Sequence, residues 1–96
     1  MENFYEDIKS DTNELDRMII NNYYEKAING DAESQNYMGL LYVKGEEFES
    51  NDIKALYFFK KAAFQGHSDA MENYLSLLQS LYAEALIFQK QQKENY

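Results

Sequence analysis

The chain has 96 residues and a mass of 11.3 kDa, which corresponds to one domain with a modest core. It contains no cysteine and a single histidine, His67, which excludes disulfides, thiolate metal sites, cysteine nucleophiles and two-histidine metal motifs. The scarcity of these two residue types argues against an enzyme. Seventeen acidic residues against nine basic ones give a net charge of −8. Because this charge repels nucleic-acid phosphates, the composition also argues against a nucleic-acid-binding protein.

The N-terminal segment carries acidic residues where a secretory signal carries basic ones, and no apolar run follows it. We therefore expect a cytoplasmic protein, and no stretch of the chain is apolar enough to cross a membrane. Phe4, Tyr5 and Ile8 follow a loose helical spacing. These three side chains are candidates to fold back onto the rest of the molecule.

Helical periodicity dominates the rest of the chain, and no stretch alternates for long enough to predict a strand. The predicted helices cover residues 12–29, 32–44, 52–65 and 68–93. Asp11 and Glu14 are expected to form a capping box for the first helix, and Asn51 is expected to cap the third. Glycines, which adopt the left-handed conformation at little cost, end the first three helices: Gly30, Gly45 and Gly66.

A shift of the chain by 36 residues sets Tyr23 against Phe59 and Gly30 against Gly66. A helical pair that recurs with this period is typical of an α-solenoid, in which each unit buries its apolar face against its neighbours. We therefore predict an all-α protein, a short α-solenoid of antiparallel helix pairs. It should have about four main helices, of which the last is a long C-terminal capping helix.

One set of residues follows the spacing of a known repeat without insertion or deletion: Ser34, Met38, Gly39, Tyr42, Gly45, Phe48, Asn51, Lys54, Ala55, Phe58, Phe59, Lys61, Ala62, Ala63 and Gly66. The chain thereby resembles the Sel-one-like repeat family, a relative of the tetratricopeptide repeats. The resemblance implies a single helical-repeat domain, with one complete unit over 31–66. Residues 1–30 would form an N-terminal cap and partial repeat, and residues 67–96 a partial repeat with a capping helix, because Leu75 replaces the expected glycine.

The resemblance also implies a function, since related helical repeats are protein–protein interaction modules without catalytic activity. Their ligands lie in a groove lined by the first helix of each unit. The matching positions in this chain are Glu33, Asn36, Leu40, Val43 and Lys44, followed by Asp69, Glu72, Ser76 and Gln79. Of these, Glu33, Asn36, Leu40, Lys44 and Glu72 are predicted to bind the partner.

A second candidate surface is the loop between the second and third helices, with Glu46, Glu47 and Glu49 followed by Asp52. The loop lacks the alternating acids and central glycine of a calcium site. We predict no metal and no cofactor. The loop is either a solvated turn or a docking patch for a basic partner. His67 is expected to face solvent or to cap the fourth helix.

All of the net charge lies in the first half of the chain, because residues 1–50 hold twelve acids and four bases whereas residues 51–96 hold five of each. This acidity either serves solubility or attracts a basic protein. Two functions remain open: an interaction module that binds another protein, or a small inhibitor, such as an immunity protein or antitoxin, that neutralises a basic, nuclease-like partner.

The fourth predicted helix is more apolar than a surface cap needs, since its apolar residues between 74 and 88 cover more than one face. The excess implies burial on two sides. The additional face could be covered by the N-terminal segment with Phe4, Tyr5 and Ile8, by a partner, or by a second copy in a homodimer.

Overall fold

The computed structural model describes residues 7–94, most of which belong to four α-helices. These are α1 (Glu14–Ile28), α2 (Ala32–Lys44), α3 (Asp52–Ala63) and α4 (Ser68–Glu94). Within the described residues there is no strand, and one isolated antiparallel bridge joins Ile8 to Phe48. The prediction of an all-α fold with a long C-terminal helix is confirmed.

The helices form a short solenoid, because the main contacts join α1 to α2, α2 to α3, and α3 to α4. The molecule is elongated, with extents of 52, 34 and 22 Å along its principal axes. Among the helices of residues 7–94, none combines the length and the mean hydropathy that a membrane span needs.

Local capping sets most of the helix ends where the sequence predicts them. The side chain of Asp31 accepts a hydrogen bond from the Ser34 backbone N–H at the start of α2, and Asn51 accepts one from Lys54 at the start of α3. The hydroxyl and backbone N–H of Ser34 hold the pKa of the Asp31 carboxyl below its ordinary value. Gly45 ends α2 in the left-handed region, with φ at 70°.

The start of α1 differs from the prediction, because its N-cap is Asn13 and not Asp11. The Asn13 Oδ1 accepts the Asp16 backbone N–H at 2.8 Å, so no capping box with Asp11 forms. Residues 9–12 instead form a turn that is tied to the helix by the Arg17 guanidinium, which donates to the carbonyl oxygens of Thr12 and Lys9.

The core lies between α2 and α3. Its largest fully buried side chains are Met38, Tyr42, Phe48 and Phe59. Gly39 allows the close approach of the two helices, because a β-carbon at this position would overlap the Phe59 ring, with Cδ1 only 2.5 Å away. Gly39 therefore serves the close packing of α2 against α3.

The apolar residues of α1 are buried only in part. Ile20 and Ala27 are buried, whereas Leu15, Met18 and Ile19 are exposed. The exposed residues lie at the open N-terminal end of the solenoid, where the described residues place no further helix.

His67 caps α4 and pairs with α2 at the same time. Its Nδ1 accepts the backbone N–H of Ala70 at 3.0 Å, and its Nε2 lies 2.9 Å from the Glu33 carboxylate. An imidazole protonated at Nε2 satisfies both contacts. The expectation of a capping histidine is confirmed.

We expect His67→Ala to lower the free energy of unfolding by about 1 kcal/mol, because the first turn of α4 loses its N-cap acceptor. His67→Asn restores a cap and should stay close to the unsubstituted protein. Urea unfolding followed by circular dichroism measures both variants. Equal losses in the two variants would assign the role of His67 to the Glu33 contact instead of the cap.

Candidate partner-binding surfaces

The acidic loop, residues 45–51, is held in place by the segment that precedes α1. The Lys9 backbone N–H donates to the Glu47 carbonyl oxygen at 2.7 Å, and the Glu49 N–H donates to the Asp7 carbonyl oxygen at 3.1 Å. Between these two bonds Ile8 and Phe48 face each other, and both side chains are buried. The loop is therefore an ordered part of the fold.

A second set of polar contacts fixes the same segment. The Asp7 carboxylate accepts hydrogen bonds from the Tyr42 hydroxyl at 2.7 Å and from the Lys54 ammonium at 2.6 Å. The Lys9 ammonium donates to the Gly45 carbonyl oxygen at the end of α2. No local signal in the sequence points to Asp7, because its two partners lie 35 and 47 residues away along the chain.

The acidic residues predicted in this region differ in their exposure. Glu46 and Glu49 are exposed, whereas Glu47 is half-buried. Asp52 is half-buried in the first turn of α3, where a carboxylate is stabilised by the partial positive charge of the helix N-terminus. Glu46 and Glu49 are therefore the residues of this set that present charge most openly to solvent.

The acidic region extends from the loop towards α1. Burial raises the pKa of the Tyr37 hydroxyl, and the charges of Glu47, Tyr23 and Asp16 raise it further. The Tyr37 ring stacks on Tyr23 with 4.0 Å between the ring centroids. Glu47 on the loop and Asp16 in the first turn of α1 therefore both lie near the Tyr37 hydroxyl. We use "acidic surface" for Asp16, Glu46, Glu47 and Glu49.

The predicted groove exists between α2 and α4, with a volume of about 230 Å³. Three residues expected to line it do so: Leu40, Val43 and Ser76. Asn36 does not. It is buried, and its Oδ1 accepts a hydrogen bond from Asn73 Nδ2 at 3.0 Å, so this side chain closes the groove at the α2–α4 contact.

The five remaining residues predicted for the groove are exposed but are not among those that line it: Glu33, Lys44, Asp69, Glu72 and Gln79. Glu33 lies beside His67, Lys44 lies in the last turn of α2, and Glu72 lies on α4. The groove itself is lined mainly by apolar and small polar side chains. A basic partner would therefore find its complementary charge on the acidic surface and not within the groove.

A larger cleft, of about 490 Å³, lies along α3 and was not predicted. Its lining includes Tyr57 and Phe64, each with a lysine ammonium above its ring. Lys61 Nζ lies 5.2 Å from the Tyr57 centroid, and Lys60 Nζ lies 5.5 Å from that of Phe64. The spacing within α3 does not predict this cleft, because the cleft depends on the approach of Gly30 from another helix end.

Within residues 7–94, no three histidine, aspartate or glutamate side chains are grouped so that they could hold a metal ion. Comparisons of the chain with protein-family models, with curated proteins and with solved structures find no match. Membership of the Sel-one-like repeat family therefore stays a prediction that depends on the residue spacing alone.

Proposed function

We propose that this protein is a non-enzymatic protein–protein interaction module that binds a basic surface of another protein through its acidic surface. The observation that carries the proposal is the fixed conformation of the acidic loop, which the bridge at Ile8 and Phe48 holds against the segment before α1. A loop that is ordered before binding loses little conformational entropy when the partner arrives. We also propose that the module is of the Sel-one-like repeat type and that the protein is located in the cytoplasm.

The distribution of charge supports a basic partner. The net charge of −8 resides in residues 1–50, which include the acidic surface. Glu46 and Glu49 are exposed. Clustered charge of one sign speeds the encounter with a partner of opposite sign, and the association rate then falls as salt increases.

The order of the loop also supports the second candidate, an inhibitor of a basic, nuclease-like protein. A rigid arrangement of carboxylates can take the place of nucleic-acid phosphates in a basic cleft, and rigidity favours the high affinity that an inhibitor needs. The two candidates differ in kinetics. An inhibitor should show a much steeper fall of association rate between low and physiological salt than an adaptor that also uses the apolar groove.

Charge reversal tests the acidic surface. We expect Glu46→Lys/Glu49→Lys to weaken the binding of a labelled peptide of alternating arginine and serine by about tenfold, because two exposed carboxylates become repulsive. Fluorescence anisotropy at low and physiological salt provides the affinity. The substituted side chains are exposed, so we expect the fold to be retained in circular dichroism.

The matched control is Glu25→Lys/Glu84→Lys, which changes two exposed acids on α1 and α4. Each double variant raises the net charge from −8 to −4. We expect the control to lose less than about threefold in affinity, since its charges lie outside the acidic surface. Equal losses in the two variants would show that net charge alone governs binding and would contradict the proposed site.

A further inference from the structure

The second half of α4 extends beyond the rest of the molecule. The helix has 27 residues and is therefore about 40 Å long. Its packed side chains, Ala70, Tyr74 and Leu77, lie in the first half. Residues 82–93 are exposed throughout. An isolated helical segment of this length is only marginally stable in water, so the extension needs a further contact.

An apolar stripe runs along α4 on a side that the solenoid does not use. It consists of five exposed residues: Met71, Leu75, Leu78, Tyr82 and Leu86. Their spacing of three or four residues places them on one side of the helix, roughly 100° around the axis from the packed side chains. The spacing of the first four alternates between four and three residues, as it does along the apolar seam of a coiled coil.

The described part of the N-terminal segment, residues 7–13, does not cover this stripe. Ile8 folds back as expected, but it packs opposite Phe48 on the acidic loop. Phe4 and Tyr5 lie outside the described residues. Of the three alternatives for the additional face of α4, coverage by Ile8 is therefore excluded, because backbone pairing with Glu47 and Glu49 directs the segment to the loop.

The charges that flank the stripe favour one occupant. Glu72 lies beside the N-terminal part of the stripe, whereas Lys90 and Lys93 lie near the C-terminal end of α4. A second α4 in the parallel orientation would set like charges against each other. An antiparallel α4 sets the lysines of each copy beside Glu72 of the other, and it also opposes the two helix dipoles.

We propose that a second copy of this chain covers the apolar stripe, with the two α4 helices antiparallel. In this register Leu78 packs against Tyr82 of the second copy, Leu75 packs against its Ala85, and its Lys90 lies level with Glu72. The two-fold axis passes between the two helices at the level of Ser80. This axis gives each contact an identical copy in the other half of the interface, so the assembly closes as a dimer. This inference goes beyond the proposed function, because it concerns a surface other than the acidic one.

Light scattering after size exclusion tests the dimer. We expect a mass of twice 11.3 kDa for the unsubstituted chain. Leu78→Glu should weaken the dimer by about 100-fold, because two carboxylates then lie near the axis. The control Gln91→Glu adds the same charge on the opposite, exposed side of α4 and should remain dimeric. Both variants should keep the helical circular dichroism signal of the unsubstituted protein.

Cysteine cross-linking tests the orientation, since the natural chain contains no cysteine. We expect Gln79→Cys, beside the axis, to form a disulfide-linked dimer on oxidation. Glu72→Cys should not, because its two copies would be about 24 Å apart along the pair. A mixture of Glu72→Cys and Lys90→Cys chains should form the mixed dimer.

Three results would overturn the proposal. A monomer at high protein concentration would show that the stripe does not bind a second copy. Efficient self-linking of Glu72→Cys would show parallel helices. A ladder of larger masses that disappears with Leu15→Glu on α1 would show head-to-tail stacking of the two open ends of the solenoid. None of these results depends on the acidic surface, so the binding of basic peptide is tested separately.

Discussion

Phe48→Ala is expected to lower the free energy of unfolding by about 3–5 kcal/mol, the largest effect that we predict for a single substitution. The Phe48 side chain has no exposed area, and its ring meets Tyr42 edge-on with 4.6 Å between centroids. It also lies opposite the buried Ile8. Truncation removes this contact area and leaves a cavity that helices fixed by their own packing cannot fill. Urea unfolding measures the loss.

The same variant tests whether the order of the acidic loop depends on Phe48. We expect the amide protons of Lys9 and Glu49 to exchange faster with solvent, because the bridge that protects them is lost. Binding of the basic peptide should weaken as well, although no charge has changed. Hydrogen exchange under native conditions, at a temperature where Phe48→Ala remains folded, separates this local effect from global unfolding.

Phe64→Ala is the matched control for Phe48→Ala. Phe64 ends α3 with 74% of its area exposed, so the same truncation there should cost less than about 1 kcal/mol. It should leave the exchange of Lys9 and Glu49 unchanged. If the two truncations cost the same, Phe48 does not anchor the loop, and the structural support for the proposed function is lost.

Local signals in the sequence predicted α2 from Ala32 to Lys44, the bounds that the structure shows. Asp31 and Gly45 cap this helix through contacts within a few residues, which is why the sequence suffices. The start of α1 was placed too early, because Asp11 and Asn13 are both good N-cap residues. Which of the two residues caps α1 depends on Arg17, whose guanidinium holds the turn before the helix in place.

The acidic surface could also be predicted in part, because three of its residues are close together in the chain. Glu46, Glu47 and Glu49 are neighbours in the chain, so their clustering is visible in the sequence. Asp16 joins them only through the packing of α1 on α2, and that contact cannot be inferred from spacing. Asn36 was assigned to the groove because the repeat pattern places it outward. In the structure Asn73 of α4 donates a hydrogen bond to the Asn36 Oδ1, and the Asn36 side chain is buried at this contact.

Gly39→Ala is expected to lower the free energy of unfolding by about 1–3 kcal/mol, although alanine favours a helix by about 1 kcal/mol over glycine. The reason is the close contact of α2 with α3, where the new methyl group would overlap the Phe59 ring. Phe59 is only 1% exposed, so its ring has no free space into which to move. The methyl group must therefore push the helices apart.

A double-mutant cycle isolates this overlap from other effects of the substitution. In a Phe59→Leu background the ring is absent, so Gly39→Ala should cost much less than in the unsubstituted protein, with a coupling energy of at least about 1 kcal/mol. Ala83→Gly, at an exposed position of α4, calibrates the helix propensity within this chain. If Gly39→Ala instead stabilises the protein by as much as Ala83→Gly destabilises it, propensity alone decides at residue 39. The close approach of α2 and α3, on which the solenoid depends, would then be contradicted.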